Sequence, residues 1–522
     1  MAFFNVLPEV FRFIFNTDGL PVAKASESQV WPIQCKFFDA PMSNWPAFVL
    51  GIFHANNFVK ELVELQQTGF FHNGKVIKIV VFGFSCDAPA NALIKFIKIH
   101  TGYESCPKCE VHGKYARRVV FLETSAPLRS HENFINKTQD RHHTGTSLLE
   151  RLDIDMVTSF AVGYMRCVCL GVMRKLLWLW IRGPLSTRIG HQNIERKSAA
   201  LMMIKNFVPC DFARKPRVLA ELPRWKPTEL HQFLLYTGPA ILKESCKGKP
   251  LEDFYDNFML LHTAIKILSQ PHLCQEPVYN YAKDLLVAFV EECKIIYAEW
   301  FISYNVHCLI HLPDDVMRFG YLDNFSTFPF ENNMKKIKSM IRKHERVLSQ
   351  IVRRIAEEER NFIEFNKINT GKTVLKKKHT NGPVLSTGAE KQYNILHYKS
   401  VTLKCDEANS CFILKDETVV KMLNIIEQEN VITIIGKELN NRGEKDLFSK
   451  PLQSSRLGTY TVKISSLSSQ KSWPITEIKC KAFGIPYSSK NELAIFPLMR
   501  IVLCAFIPYL LKSMSRRIPK VI

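Results

Sequence analysis

One stretch near residue 80 constrains the fold more than any other part of the chain. Residues 79–84 form an apolar run that predicts a buried strand. Asp87-Ala-Pro-Ala follows as a helix start, with Asp87 as the cap and Pro89 in the first turn. Cys106-Pro-Lys-Cys109 comes 19 residues after Asp87. The stretch therefore carries a carboxylate at a strand tip and half of a candidate metal site.

The residues before this stretch predict an α/β arrangement. Strands are expected at 10–20, 30–38 and 48–54, and a helical stripe follows at 58–67. Short spacing favours an antiparallel meander, and the helical crossover makes the fourth strand parallel to the first. This order is that of the ribonuclease H-like catalytic core. It places Asp18 and Asp87 at the tips of neighbouring strands.

The composition suits an intracellular protein with a polyanionic partner. Of 522 residues, 46% are hydrophobic, and the formal charge of +21 favours nucleic acid, although a merely soluble basic protein has the same balance. The 15 cysteines without a secretory signal favour a reduced compartment. Prolines and an arginine interrupt the apolar run at 493–511, which argues against a membrane span.

The remaining chain divides into further segments. Helical stripes predict a large α-helical insertion, a long basic helix covers 330–365, and short strands after residue 400 predict a small β-barrel. We predict these divisions: 1–105, first part of the core; 106–303, zinc-clasped helical insertion; 304–366, core completion with the final acid; 367–393, solvated linker; 394–500, small β-barrel-like domain; 501–522, basic and apolar tail.

Two aspartates at adjacent strand tips suit Mg²⁺ or Mn²⁺, which prefer carboxylate oxygens and serve phosphoryl transfer in pairs. Such a site needs a third acid, and the candidates are Asp153, Asp155, Asp314, Asp315 and Glu331. Glu331 is favoured because it opens a helix whose next turns are basic. The alternative is that Asp18-Gly19 is a simple turn and Asp87 only a helix cap.

Two pairs of soft ligands occur far apart in the chain. Cys106-x2-Cys109 is a zinc-type half site, and His307-x3-His311 places two imidazoles on one helix face. The halves must meet in space to hold one ion. The alternative is two buried free cysteines and two ordinary histidines.

The helix after Glu331 carries candidate DNA-binding residues, which neutralise phosphates without reading sequence. They are Lys335, Lys336, Lys338, Arg342, Lys343 and Arg346. The alternative is a solvated amphipathic face.

Short motifs in one order along residues 10–365 resemble a known family. They include Thr17-Asp-Gly-Leu-Pro21, Asp87-Ala-Pro-Ala90, Cys106-Pro-Lys-Cys109, Cys169-Leu-Gly-Val-Met173, Tyr304-Asn-Val-His307 and Phe328-Pro-Phe-Glu331. Together they resemble transposase-domain proteins of animal genomes, which are similar to the CACTA (En/Spm-like) transposases of the DDE group. The resemblance implies a ribonuclease H-like core with a helical insertion before the final acid. It implies metal-dependent DNA strand cleavage and transfer by Asp18, Asp87 and Glu331. It also supports a structural zinc on Cys106, Cys109, His307 and His311.

Three departures accompany the resemblance. The family has sequence ahead of the first catalytic strand, the segment after Phe53 is short here, and an Asp-Tyr-Met-His motif appears as Gly163-Tyr164-Met165-Arg166. We therefore expect a nuclear, transposon-derived protein that binds transposon ends and target DNA as a homo-oligomer, with metal-dependent cleavage at the triad. The alternative is an inactive, N-terminally truncated remnant that acts as a DNA-binding, chromatin-binding or interaction protein.

Overall fold

The structure of the protein is a computed structural model. It describes residues 8–21, 29–39, 47–51, 55–72, 74–243, 251–273, 275–343, 345–365, 373–385, 391–398, 401–439, 445–464, 467–487 and 491–498. The chain has a mixed α/β fold and forms two compact units. The first combines Met1–Val168 with Ala298–Thr370, and the second combines Cys169–Tyr297 with Gly371–Ile501. Within the described ranges, no α-helix has the length and apolar character needed to cross a bilayer.

The α-helices of the described residues lie in both units. They are α1 Ala55–Thr68, α2 Ala88–Lys95, α3 His131–Ile135, α4 Arg174–Arg182, α5 His191–Met203, α6 Pro227–Gln232, α7 Gly238–Lys243, α8 Leu251–Leu268, α9 Val278–Tyr297, α10 Tyr304–Cys308, α11 Leu312–Phe319, α12 Phe328–Met340 and α13 Val347–Phe365. A π-helical segment, Met165–Met173, runs directly into α4.

The strands of the first unit include those predicted from the sequence. They are β1 Val10–Thr17, β2 Leu20–Pro21, β3 Gln29–Val30, β4 Ile33–Phe37, β5 Phe48–Gly51, β6 Phe70–His72, β7 Lys75–Cys86, β8 Lys114–Tyr115, β9 Val119–Val120 and β10 Phe160–Val162.

The main sheet of the first unit has the order β5-β4-β1-β7-β10, and β6 pairs with β7. Strand β4 is antiparallel to both β1 and β5, whereas β7 is parallel to both β1 and β10. Phe84 of β7 faces Phe15 of β1 on one side and Phe160 of β10 on the other. The predicted meander and the predicted parallel fourth strand are therefore both present.

Strand β10 was not predicted, because a helical stripe was expected over residues 147–182. It is three residues long and buried throughout. Such a run cannot be told from a buried helical segment by its pattern alone. Helix α2 starts where it was predicted and ends at Lys95, because Phe96 caps it in the left-handed conformation at φ 54°.

The single long helix predicted over 330–365 is wrong, since α12 and α13 are separated by a turn. The side chain of Gln350 holds that turn. Its Oε1 accepts from the amides of Arg342 and Lys343 at 2.9 and 3.2 Å, and its Nε2 donates to the carbonyls of Lys343 and Glu345 at 2.8 and 2.6 Å. These bonds replace those of a continuous helix.

The second unit joins helices α4 to α9 to an antiparallel β-rich region. Its described strands are β11 Val374–His379, β12 Lys391–Tyr398, β13 Val401–Lys404, β14 Cys411–Leu414, β15 Val419–Gln428, β16 Val431–Leu439, β17 Lys445–Asp446, β18 Tyr460–Lys463, β19 Leu467–Pro474, β20 Ile478–Tyr487 and β21 Glu492–Pro497. Aromatic packing of Phe212 and Tyr236 on Phe483 connects the two parts.

The stretch 367–393, expected to be a linker, contains β11. Strand β11 pairs with β12. Three consecutive exposed lysines in its middle give it no alternating apolar pattern, so the sequence did not predict a strand. Lysines are common on sheet edges, where they discourage pairing with another chain. The predicted tail at 501–522 lies outside the described residues.

Candidate functional site

Two of the predicted acids lie at one edge of the main sheet. Asp18 follows the end of β1, and Asp87 follows the end of the parallel strand β7. The amide of Thr17 donates to the Sγ of Cys86 at 3.4 Å, which keeps the two strand ends together. Asp87 also caps α2, because its Oδ1 accepts from the Ala90 amide at 2.9 Å. The helix-cap interpretation is thus correct, and it is compatible with a place for Asp87 in a carboxylate site.

Glu331 joins these aspartates from the first turn of α12. The three acids line one small cleft together with Arg166 and Thr327. Arg166 connects two of them, since its Nη2 donates to Asp18 Oδ2 at 3.0 Å and to Glu331 Oε1 at 2.6 Å. The structure therefore brings together the three acids that the resemblance selected, with an arginine among them.

The cleft contains three carboxylates and one guanidinium group, so negative charge predominates in it. The pKa of Asp18 rises to about 6 through burial and the nearby carboxylates of Asp87 and Glu331, although Arg166 opposes the rise. One guanidinium therefore only partly offsets three carboxylates.

The cleft has only part of the chemistry that divalent ions require. Three carboxylates are the hard oxygen ligands that Mg²⁺ and Mn²⁺ prefer. However, the guanidinium of Arg166 is hydrogen-bonded to two of the three, and it takes up oxygen atoms that an ion would need. With Arg166 in this position, the residues present do not fit a divalent pair.

The other candidates for the third acid have structural contacts elsewhere. Asp315 is buried, accepting from Lys108 Nζ at 2.6 Å and from the Val162 amide at 2.7 Å. Asp155 accepts from the amides of Val157 and Thr158, both at 2.7 Å. Asp153 and Asp314 are also absent from the lining of the cleft.

A relay of amide side chains supports the cleft, and sequence reasoning missed it. Asn333 Nδ2 donates to Gln34 Oε1 at 2.8 Å, and Gln34 Nε2 donates to Asn16 Oδ1 at 3.2 Å. Asn16 Nδ2 then donates to the Ser85 carbonyl at 2.7 Å. Asn16, Ser85 and Asn333 each lie two residues from a cleft acid. A buried polar residue within a strand pattern is the signal that could have revealed the relay.

Gly163, one of the departures from the family motif, has a steric explanation. A Cβ at this position would lie 2.8 Å from the carbonyl oxygen of Cys86. Glycine therefore lets the chain after β10 pass closely beside the end of β7. An aspartate here would collide with that backbone.

The predicted soft ligands meet in a buried cluster. The Sγ atoms of Cys106 and Cys109 are 3.5 Å apart, Cys106 Sγ is 3.5 Å from His311 Nε2, and Cys109 Sγ is 3.2 Å from His307 Nε2. One ligand atom from each residue lies within 4.8 Å of the others. Tetrahedral zinc with bonds of about 2.0–2.3 Å separates its ligands by roughly 3.3–3.8 Å. The cluster can therefore bind a metal such as zinc.

The sulfur chemistry is consistent with this fit. Both cysteines are free thiols, and their separation is well beyond the ~2.05 Å of a disulfide. Burial raises the pKa of the Cys106 thiol, but hydrogen bonds with Cys109 and Cys308 and the nearby histidines outweigh it. The pKa of Cys106 is held below its usual range, whereas the hydrogen bond to Cys106 and burial raise the pKa of Cys109, so that Cys106 is the thiol that ionises first. A thiolate is the form that binds metal.

The predicted DNA-binding residues lie on α12 and the turn after it. Lys335 and Lys338 are exposed on α12, and Arg342, Lys343 and Arg346 are exposed in the turn. Lys336 differs, since its Nζ is 2.5 Å from Glu358 Oε2 and its side chain is largely covered. The basic turn, defined as Arg342, Lys343 and Arg346, is thus presented to solvent.

Comparison with known proteins bears on the second unit only. Residues 378–498 match a family described as a domain of unknown function, DUF8592. The match covers most of the β-rich region, from the last two residues of β11 to the end of β21. No curated protein matches the chain.

Proposed function

We propose that this chain is a nuclear DNA-binding protein derived from a DDE-type transposase of the CACTA group. The strand order β5-β4-β1-β7-β10, antiparallel and then parallel, supports a ribonuclease H-like core. The observation that carries the proposal is the convergence of Asp18, Asp87 and Glu331 from three separate elements. These are the acids that the transposase resemblance selects.

The DNA contact is assigned to the basic turn and the exposed lysines of α12. The first lysine of this surface, Lys335, lies about one helical turn after Glu331, so this end of the surface is close to the carboxylate cleft. Arginine and lysine contacts to phosphates supply affinity without sequence specificity. The formal charge of +21 favours the same partner.

The test is the salt dependence of binding to duplex DNA by the full chain. The triple variant Arg342→Gln, Lys343→Gln, Arg346→Gln should weaken binding and reduce the slope of log K against log salt by about 2–3, at ~0.9 per phosphate contact. Lys336→Gln is the matched control, because its charge already pairs with Glu358. Equal slopes for the wild type and the triple variant would remove the proposed surface.

A second candidate function is metal-dependent DNA strand cleavage at the cleft, with Mg²⁺ or Mn²⁺. The convergence of three carboxylates favours it, and the contacts of Arg166 oppose it. Nicking of supercoiled plasmid in Mn²⁺ by the wild type, absent in Asp87→Asn, would establish it. Equal background from the two proteins would leave a non-catalytic DNA-binding protein.

The Cys106, Cys109, His307, His311 cluster is proposed to hold a structural zinc. All four residues are buried, so the ion has no open position for a substrate. The ligand pairs come from either side of residues 169–297 in the sequence. The zinc would therefore join two segments of the first unit, one on each side of that stretch in the sequence.

A further inference from the structure

We propose that Arg166 is a resident cation of the carboxylate cleft, and that its guanidinium occupies the place where a divalent ion would bridge Asp18 and Glu331. The inference rests on the proposed function for the choice of Mg²⁺ or Mn²⁺ as the competing ion. Everything else in it rests on the contacts of this chain.

The geometry of the contact is that of a bridging cation. A single atom, Nη2 of Arg166, lies 3.0 Å from an oxygen of Asp18 and 2.6 Å from an oxygen of Glu331. The two acids are 313 residues apart in the sequence and belong to different elements. A bridging Mg²⁺ needs both oxygens at about 2.0–2.1 Å. The ion and Nη2 therefore compete for the same volume.

Arg166 carries a permanent positive charge. Guanidinium remains protonated at every pH at which the protein is folded, and it binds carboxylates by strong charge-assisted hydrogen bonds. The side chains of Asp18, Glu331 and Arg166 are 24%, 37% and 39% exposed, so water screens these pairs only in part. A divalent ion must displace a tethered cation before it can bind.

The backbone of Arg166 is held firmly beside the acids. The neighbouring Cys167 donates its amide to the Gly163 carbonyl at 2.8 Å and its Sγ–H to the Asn305 carbonyl at 3.2 Å. Gly163 in turn lies against the carbonyl of Cys86, next to Asp87. These contacts therefore fix the backbone position of Arg166 at the edge of the sheet.

The experiment measures Mn²⁺ binding to the full chain by electron paramagnetic resonance, without DNA. Arg166→Met, which keeps an unbranched apolar stem but removes the charge, should bind Mn²⁺ at least about tenfold more tightly than the wild type. Arg166→Lys is the matched control, because it keeps the charge and should gain much less. Adding Asp18→Asn to Arg166→Met should abolish the gain.

Thermal melting supplies a second readout on the same proteins. Mn²⁺ should raise the melting temperature of Arg166→Met and leave that of the wild type unchanged. If Arg166→Met does not fold, Arg166→Gln replaces it, since its amide keeps one donor to the carboxylates. Wild-type binding of Mn²⁺ as tight as that of the neutral variant overturns the proposal. A folded neutral variant that gains no Mn²⁺ binding overturns it equally.

The outcome is separate from that of the proposed DNA binding. Arg166 is not part of the basic turn, so the salt slope of DNA binding tests that function independently. Failure of the metal experiment leaves the DNA-binding result intact, and the reverse also holds.

Discussion

At the scale of single residues, the cleft is lined and supported by buried or partly buried polar side chains that depend on their neighbours. Asp18 is held among other carboxylates, and Gln34 is fully buried between Asn16 and Asn333. Buried polar groups are costly unless they are hydrogen-bonded, so each of these residues responds strongly to its neighbours. The charge of Asp18 and the hydrogen bonds of Gln34 can each be tested by substitution.

Asp18 should make the protein less stable as the pH rises. Its pKa is about 6 in the folded protein and ~3.9 in an unfolded chain, so the folded state binds more protons between these values. The stability from protonated Asp18 is complete below about pH 4 and is lost as the pH rises through ~6. Thermal melts across this window should show a steeper decline for the wild type than for Asp18→Asn. Parallel curves would contradict the raised pKa.

Replacing Gln34 by leucine should destabilise the first unit. The change leaves Asn16 Oδ1 and Asn333 Nδ2 without their partner, and the buried Asn16 oxygen alone should cost about 1–3 kcal/mol. Gln66→Leu is the control, because Gln66 is only partly buried and makes longer hydrogen bonds, at 3.4 Å, with the backbone of Asp153. Denaturant unfolding followed by circular dichroism compares the two, and equal midpoints would show that the relay is unimportant.

At the scale of elements, the cluster of Cys106, Cys109, His307 and His311 depends on two short segments whose local form suits ligation. His307 lies in α10, and His311 ends the short 3₁₀ segment that follows, so the two rings are 5.3 Å apart. Cys106 and Cys109 precede the β8–β9 hairpin. Neither segment has regular structure long enough to be stable alone. A bound ion would therefore stabilise both at once.

Purified protein should contain about one equivalent of zinc, and Cys109→Ser should lose most of it and melt at a lower temperature. The reason is that the serine hydroxyl is a poor substitute for a thiolate ligand. Cys293→Ser is the control, since Cys293 is a buried cysteine in α9, outside the cluster. Mass spectrometry of the metal content checks the prediction. Zinc-free wild type, or equal zinc in Cys109→Ser, would contradict it.

At the scale of the whole molecule, each compact unit is assembled from distant parts of the chain. In the second unit, Lys481 of β20 is 2% exposed and forms an ion pair with Asp211. Its Nζ also donates to the Thr402 carbonyl at 2.6 Å and to Asn409 Oδ1 at 2.8 Å. This one ammonium group therefore ties the helical stretch to the β-rich stretch.

Lys481→Met should destabilise the second unit by about 3–5 kcal/mol, because it leaves Asp211 and two further acceptors without their donor. Lys479→Met is the control on the same strand. Lys479 is 45% exposed and pairs with an exposed Glu417, so its loss should cost at most about 1 kcal/mol. Differential scanning calorimetry measures both variants. Similar transitions for the two would show that the buried lysine does not hold the unit together.

Much of the first unit could be predicted from local patterns. Apolar runs and turn residues indicated β1, β4, β5 and β7, and the spacing of the cysteines and histidines indicated two half sites for metal. The helix cap at Asp87 was predicted correctly from its own tetrapeptide. These features depend on residues within a few positions of one another, so the sequence by itself determined them.

Contacts between distant residues were decided only by the tertiary structure. The partners of Arg166, the turn held by Gln350 and the burial of Lys481 leave no periodic signal, because each depends on which surfaces pack together. Strand β10 is likewise recognisable only through its pairing with β7. The sequence by itself determined which acids and ligands the chain carries. Tertiary packing places an arginine among the acids, and this arginine changes the net charge of the cleft.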